Sequence, residues 1–236
     1  MIDKNIFFIT STGTEIGKTF ISVKIIEYFL KKNISIEPYK PILSGFDKKK
    51  LHKTDSGKLL MAAKKKSSLI NIKKVTPWLY KKPLAPSISA KYENKNISYK
   101  ELKNWCSNKK KLSMCNYLLF EGAGGLMVPI ERKKTFINLF KDLKSPVVLV
   151  VGSYLGTISH TLSAINNLMN HNIDIINVVF NEGNKKEKNY HDNLELLKES
   201  IKSKILIRCF SNNTNLHNDQ VSKIGNDIVR YFKKMA

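Results

Sequence analysis

A loop that holds phosphate needs inward-turned backbone N–H groups, a helix N-terminus and a lysine. STGTEIGKT at residues 11–19 offers all three, between the apolar run NIFFIT at 5–10 and a helix-like stretch over 18–32. Lys18 suits the β- and γ-phosphates, and the Thr19 hydroxyl suits magnesium. The strict pattern has glycine at position 12, where Thr12 stands; Gly13 follows one residue later. A βα turn capped by a threonine is the alternative that the tripeptide GKT leaves open.

A second cluster, FEGAGG at 120–125, follows an apolar run. Glu121 then emerges at the carboxyl end of a buried strand, where ligands of open α/β sheets bind. A carboxylate there suits magnesium, and the glycines of the cluster let backbone approach phosphates; before an ordinary turn the same acid would be solvated. YKPILSG at 39–45 ends another candidate strand. Pro41 holds Lys40 extended, its amine over the sheet edge, and this position separates it from the many surface lysines. KTDSG at 53–57 carries Asp55, either a second carboxylate for the metal or the N-cap of a short helix at 56–63.

These residues need a scaffold that gathers several strand ends. Ile21, Ile25 and Phe29 recur every four residues and mark one helical stripe. Strands are expected at 34–39, 117–121, 146–151, 175–180 and 204–207. PVVLVV at 146–151 lacks alternation and is expected to be buried on both faces. Helices are expected at 99–107, 157–169, 193–202 and 221–233, with a loop marked by Pro77, Pro83 and Pro86. The alternation implies one α/β domain over residues 1–236, a mostly parallel sheet flanked by helices.

The 236 residues suffice for one sizeable core, and 42% hydrophobic with 25% charged residues is ordinary for a globular chain. No apolar run reaches the ~20 residues of a membrane span. MIDKNIFFIT lacks the apolar core and cleavage site of a signal peptide. A cytoplasmic protein without a membrane partner is expected. The unusual quantity is charge: 41 Lys+Arg against 19 Asp+Glu, net +22. Nucleic acid would match such a field. Apart from Arg132, Arg208 and Arg230, however, the Lys+Arg total is all lysine, whereas base reading and bidentate phosphate contacts favour arginine. The lysines are scattered and accompany abundant Asn and Ile, so compositional bias explains them and no nucleic-acid partner is expected. Cys106, Cys115 and Cys209 show no CxxC spacing, which indicates neither a disulfide framework nor a zinc site.

In order and spacing, TGTEIGKT, YKPILSG, TDSG, TPWLYKKPLAPSISA, EGAGGLMVPI, VVLVVGSYLGTISH and VVFNE resemble the dethiobiotin synthetase family over about residues 5–183. The resemblance implies a P-loop NTPase-like fold. It also implies a reaction: 7,8-diaminononanoate and CO2, driven by ATP, close to dethiobiotin through a carbamate and a carbamic–phosphoric anhydride. Lys40 and Lys18 would be catalytic, and Thr19, Asp55 and Glu121 would hold Mg2+. Thr14, Glu15, Ile16, Gly17, Lys18, Thr19 and Phe20, with Asp55, Glu121, Gly122, Ala123 and Gly124, match nucleotide-binding positions.

Ser44 and Glu15 match substrate positions. Gly156, Thr157 and Ile158 open a helix whose free N–H groups suit an anion. In the family this helix start comes from the partner subunit and receives the substrate carboxylate, which implies a homodimer. Asn181 and Glu182 match an adenine-contacting position, asparagine offering donor and acceptor. Arg208, Cys209 and Phe210 fall where the family often has a proline-containing segment near the adenine. Ser11 stands where the family usually has glycine, and Gly13 where it usually has aspartate. ParA/MinD-like ATPases carry a lysine five residues before the loop lysine, the position of Gly13 here. Cobyrinate synthetases need an added glutaminase domain, which 236 residues do not accommodate.

Overall fold

The computed structural model describes residues 5–183, 190–201, 205–211 and 217–235. In chain order its strands are β1 (Asn5–Ser11), β2 (Ile36–Tyr39), β3 (Ile42–Ser44), β4 (Trp78–Tyr80), β5 (Tyr117–Glu121), β6 (Pro129–Glu131), β7 (Lys134–Thr135), β8 (Val147–Gly152), β9 (Ile175–Asn181) and β10 (Ile207–Phe210). The helices are α1 (Lys18–Lys31), α2 (Asp55–Ala62), α3 (Leu69–Val75), α4 (Pro86–Tyr92), α5 (Tyr99–Leu112), α6 (Phe136–Asp142), α7 (Thr157–Asn170), α8 (Tyr190–Ser200) and α9 (His217–Met235).

The main sheet has the order β10-β9-β8-β1-β5-β2, every pairing parallel. Phe7, Ile9, Val148 and Val150 face Ile21, Ile25 and Phe29 of α1 and Ile224 and Ile228 of α9. Phe8, Phe120, Leu149 and Val151 face the other way, toward Leu102, Phe140 and Leu168 of α5, α6 and α7. Helices cover both faces, so the strands carry continuous apolar runs rather than alternation. Pro38 is accommodated because β2 is an edge strand, where one side needs no backbone donor. A small parallel pair, β3 with β4, and an antiparallel pair, β6 with β7, flank the main sheet.

Among the described residues, six non-glycine residues have positive φ. Asn33, Lys64, Asn94, Lys144 and Asn172 each follow a helix end. There the next residue's N–H returns to a carbonyl in the last turn, as Ile34 N–H does to Phe29 O at 2.8 Å. These are helix stops built on a left-handed residue without glycine. The sixth, Glu15 at φ 60°, ends no helix; it sits in the phosphate loop. Left-handed backbone at a non-glycine residue without a capping role marks a functional segment.

Several expectations are corrected. The strand expected at 204–207 begins at Ile207 and runs to Phe210, while Lys204 lies outside the described residues. The helix expected at 193–202 is α8, ending at Ser200, and Lys202 lies outside the described residues. The proline-marked stretch contains β4 and α4, with Pro86 in the first turn of α4. The helices α3 and α6 and the β6–β7 pair were not expected; each is too short to carry periodicity. Among the described residues no helix is long and apolar enough to cross a membrane.

Candidate active site

Because every main strand runs the same way, all six carboxyl ends lie on one edge. The chain leaves β1 through α1 toward β2, and leaves adjacent β8 through α7 toward β9, so the connections diverge between β1 and β8. Crevices of this kind bind ligands. The segment 12–17 crosses it. Gly17, at φ 98°, is the N-cap of α1 and supplies no side-chain cap bond, so the capping-threonine alternative is not adopted. The first N–H groups of α1 therefore lack the usual side-chain acceptor. The Ile16 side chain lies against Gly13 and Gly152, where a Cβ on Gly152 would stand 3.4 Å from Ile16 Cγ2.

Two lysines converge here. Lys18 Nζ donates to Ser11 Oγ at 3.0 Å and to the Gly13 carbonyl at 3.1 Å. Ser11 thus gives the loop lysine a side-chain acceptor. Burial, reinforced by the charge of Lys40, lowers the Lys18 pKa to about 8. Lys40 follows β2 and reaches Glu121 Oε1 at 2.7 Å, the Gly122 carbonyl at 2.8 Å and Asp55 Oδ2 at 3.4 Å. Burial by itself would lower the Lys40 pKa, but Glu121 and Asp55 outweigh it and hold the ammonium charged. Burial likewise pushes Asp55 up, and the Lys40 charge outweighs it and brings it below the ordinary carboxylate range.

Register explains the meeting. Tyr39 pairs with Phe120, so Lys40 and Glu121 follow side by side. Thr54, not Asp55, is the N-cap of α2, its hydroxyl accepting from Gly57 N–H at 3.0 Å. Asp55 is therefore left to face Lys40. Thr19 Oγ1 donates to Glu121 Oε1 at 2.8 Å. Glu121 is fully buried, and its Oε2 has no hydrogen-bond partner among the described residues. A buried acceptor of this kind calls for a partner such as an ion or an ordered water. Two carboxylates and a hydroxyl form the hard oxygen set that Mg2+ takes alongside phosphates and water, so these residues fit that ion.

A cavity of about 730 Å3 opens over this cluster. Thr14, Glu15, Gly17, Lys18, Thr19, Phe20, Lys40, Ser44, Asp55, Ala123 and Gly124 line it, which brings together most of the expected residues. Sequence reasoning missed its other wall: Ile42, Leu43, Lys58, Val128 and residues 83–86. The β3–β4 pair builds that wall, with Phe46 N–H on the Tyr80 carbonyl at 2.8 Å and Gly45 N–H on Lys82 at 3.1 Å. Gly45 adopts φ 76° with Pro83 against it. The clustered prolines were the available signal. The Ser44 hydroxyl is buried without a partner among the described residues.

A family model described as an AAA domain matches residues 5–220. A protein named ATP-dependent dethiobiotin synthetase BioD from Caulobacter sp. (strain K31) is 35% identical over 175 residues, covering 74% of this chain and 75% of that protein. Another of that name from Legionella pneumophila (strain Corby) is 35% identical over 156 residues, covering 66% and 70%. The chain belongs to the dethiobiotin synthetase family. Solved structures add the fold alone. Cobyrinic acid a,c-diamide synthase from Mycobacterium smegmatis, with bound ADP and magnesium, superposes with a TM-score of 0.56 at 8% identity, over 99% of this chain and 97% of that one. The MinC:MinD complex of Aquifex aeolicus gives 0.55 at 14%, over 98% and 95%.

Within this dethiobiotin synthetase fold the remaining expected residues are spread around the loop. Gly122 fixes the β5 end through its N–H on the Ile9 carbonyl at 3.0 Å and its own carbonyl on Lys40. Gly156, Thr157 and Ile158 start α7 and do not line the cavity of their own chain; the Thr157 hydroxyl turns back to the Gly152 carbonyl. Asn181 ends β9 beneath the loop, and Glu182 N–H joins the Phe210 carbonyl at 2.9 Å. Phe210 packs edge-on against Phe20, with ring centres 5.2 Å apart. The Arg208 side chain is engaged elsewhere in the fold. Its guanidinium grips the buried Asp227 of α9 at 2.6 and 2.8 Å, so it ties β10 to that helix. Cys209 faces the opposite side and packs on the second apolar layer.

Proposed function

We propose that this chain is an ATP- and Mg2+-dependent dethiobiotin synthetase acting on 7,8-diaminononanoate and CO2. The observation that carries the reading is Lys40. Its charge is buried yet held by Glu121 and Asp55, on the wall of a cavity that also contains the phosphate loop. One substrate amine attacks CO2 and loses a proton, giving a carbamate. A carbamate oxygen attacks the γ-phosphorus as its bond to the ADP oxygen breaks. The second amine attacks the carbonyl carbon of the mixed anhydride, the carbon–oxygen bond to phosphate breaks, and the ureido ring closes.

Every stage gathers negative charge, and phosphoryl transfer depends mainly on positioning and neutralising it. Lys18 and the N–H groups of α1 face the phosphates. Lys40 stabilises the carbamate and the transferring phosphoryl group. Thr19, Asp55 and Glu121 would hold Mg2+, which when bound neutralises triphosphate charge. The apolar wall of Leu43, Leu84, Pro86 and Val128 suits an aliphatic chain, and the unpartnered Ser44 hydroxyl suits a polar substrate group. Phe20, exposed on the cavity and backed edge-on by the buried Phe210, offers an aromatic flank for the base. The same reading makes the protein a homodimer, with Gly156, Thr157 and Ile158 of each subunit serving the other's site; these residues start α7 and do not line their own chain's cavity.

The test is ATP turnover in the presence of diaminononanoate and bicarbonate. Wild-type protein is expected to consume ATP only with both, and Lys18→Ala and Lys40→Ala to lose that activity. No turnover by wild type sinks the reading, and near-full kcat in Lys40→Ala sinks the role of Lys40. Light scattering at assay concentration reads the dimer; a monomer mass opposes it.

A further inference from the structure

The side-chain amide of Asn181 donates to the Ile16 carbonyl at 2.9 Å, across 165 positions of sequence. A carbonyl can only accept, so the amide nitrogen must face Ile16, and the orientation of the side chain is thereby settled. Asn181 is buried, and its backbone is paired on both sides, with Gly152 of β8 and with Phe210 of β10. The clasp thus comes from the rigid interior of the sheet. The same amide nitrogen fills the space that a side chain on residue 17 would need. Gly17 is therefore required twice, by its φ of 98° and by Asn181.

The Ile16–Gly17 peptide is held from beneath by its carbonyl. In a trans peptide the N–H points opposite to the carbonyl, so Gly17 N–H points away from Asn181. Gly17 lines the cavity. We propose that Asn181 is a positioning residue of the phosphate loop, fixing this one peptide so that Gly17 N–H is presented to the triphosphate. The proposal rests on the reading of the loop as a triphosphate site. Donation to Ile16 uses one of the two amide protons. The second proton and Oδ1 then lie in a plane set by the loop, so recognition of an adenine edge and loop geometry share one amide.

The test compares Mg2+-ATP with Mg2+-tripolyphosphate, which has the phosphates and no base. Binding of each is measured by calorimetry for wild type, Asn181→Ala and the isosteric Asn181→Asp, with thermal melting as a check on folding. Both variants are expected to bind tripolyphosphate about tenfold more weakly, and ATP at least as much more weakly, as for a lost hydrogen bond. Weakened ATP binding with unchanged tripolyphosphate binding overturns the proposal and leaves Asn181 as a base contact only. Unchanged binding of both ligands overturns it as well. A wild-type protein that binds neither ligand overturns the triphosphate reading together with it. Should the variants not fold, wild-type NMR decides: one Asn181 side-chain proton protected from exchange without nucleotide is expected, and rapid exchange of both refutes the clasp.

Discussion

Lys40 Nζ lies 2.7 Å from Glu121 Oε1 and 3.4 Å from Asp55 Oδ2, so one buried ammonium serves two carboxylates from different parts of the chain. Glu121 in turn accepts from Thr19. The lysine, the magnesium-type ligands and the first turn of α1 are thus one hydrogen-bonded unit, and loss of any member leaves a buried charge or lone pair behind.

Lys40→Met keeps volume and removes the charge. Two carboxylates then face each other, one fully buried, and the variant is expected to lose about 3 kcal/mol of stability in urea unfolding. Activity falls by at least about 100-fold, as for loss of a charge stabiliser. Added Mg2+ should raise the melting temperature of this variant more than that of wild type, because the cation replaces missing positive charge. Equal shifts in both proteins would place the Mg2+ ligands elsewhere.

Gly13 and Gly17 should respond differently to alanine. A Cβ on Gly13 meets Ile16 only at 3.7 Å and its φ is not positive, whereas one on Gly17 collides with Asn181 in a left-handed backbone. Gly13→Ala is expected to bind ATP near wild-type affinity, and Gly17→Ala to lose binding. Calorimetry separates the two; similar losses would show that the loop changes shape on binding.

Arg208→Ala tests whether the guanidinium serves the fold or the nucleotide. Asp227 would be left buried beside Asn177, whose amide reaches it at 3.3 Å. Stability should drop by about 3 kcal/mol, while KM for ATP stays near wild type. A large rise in KM with unchanged stability would return the guanidinium to the nucleotide.

Glu37 predicts acid sensitivity. Burial pushes its carboxyl up, but bonds from Tyr39 (2.6 Å), Lys65 (3.0 Å) and Ser113 (2.9 Å) outweigh this and hold its pKa below the usual glutamate value. A folded-state pKa below the unfolded one contributes stability that is present above the unfolded pKa, about 4.3. That contribution is lost as pH falls through the folded value. Glu37→Gln should therefore be less stable than wild type by about 1 kcal/mol at neutral pH, with the gap closing below the folded pKa. A gap independent of pH would assign the loss to packing.

Much of this site was legible in the chain itself. Residues 11–19, Lys40 and Glu121 were readable because each follows an apolar run that ends in a glycine-rich or proline-fixed turn, and Asp55 because KTDSG is a short turn-and-cap pattern. Strand and helix types were readable for the same reason, and the resemblance ordered them. What local pattern does not contain is pairing. Parallel strands meet only through long crossovers, so that Tyr39 aligns with Phe120, and Gly152 with Asn181, was decided by tertiary packing. Packing across the chain likewise set Lys40 on Glu121, turned Arg208 onto Asp227 of α9 and placed residues 83–86 beside a pair of three-residue strands. Elements that short carry too few side chains for a period to register. The clasp of Asn181 on Ile16 spans 165 positions; the sequence names both residues, and only the folded sheet brings one beneath the other.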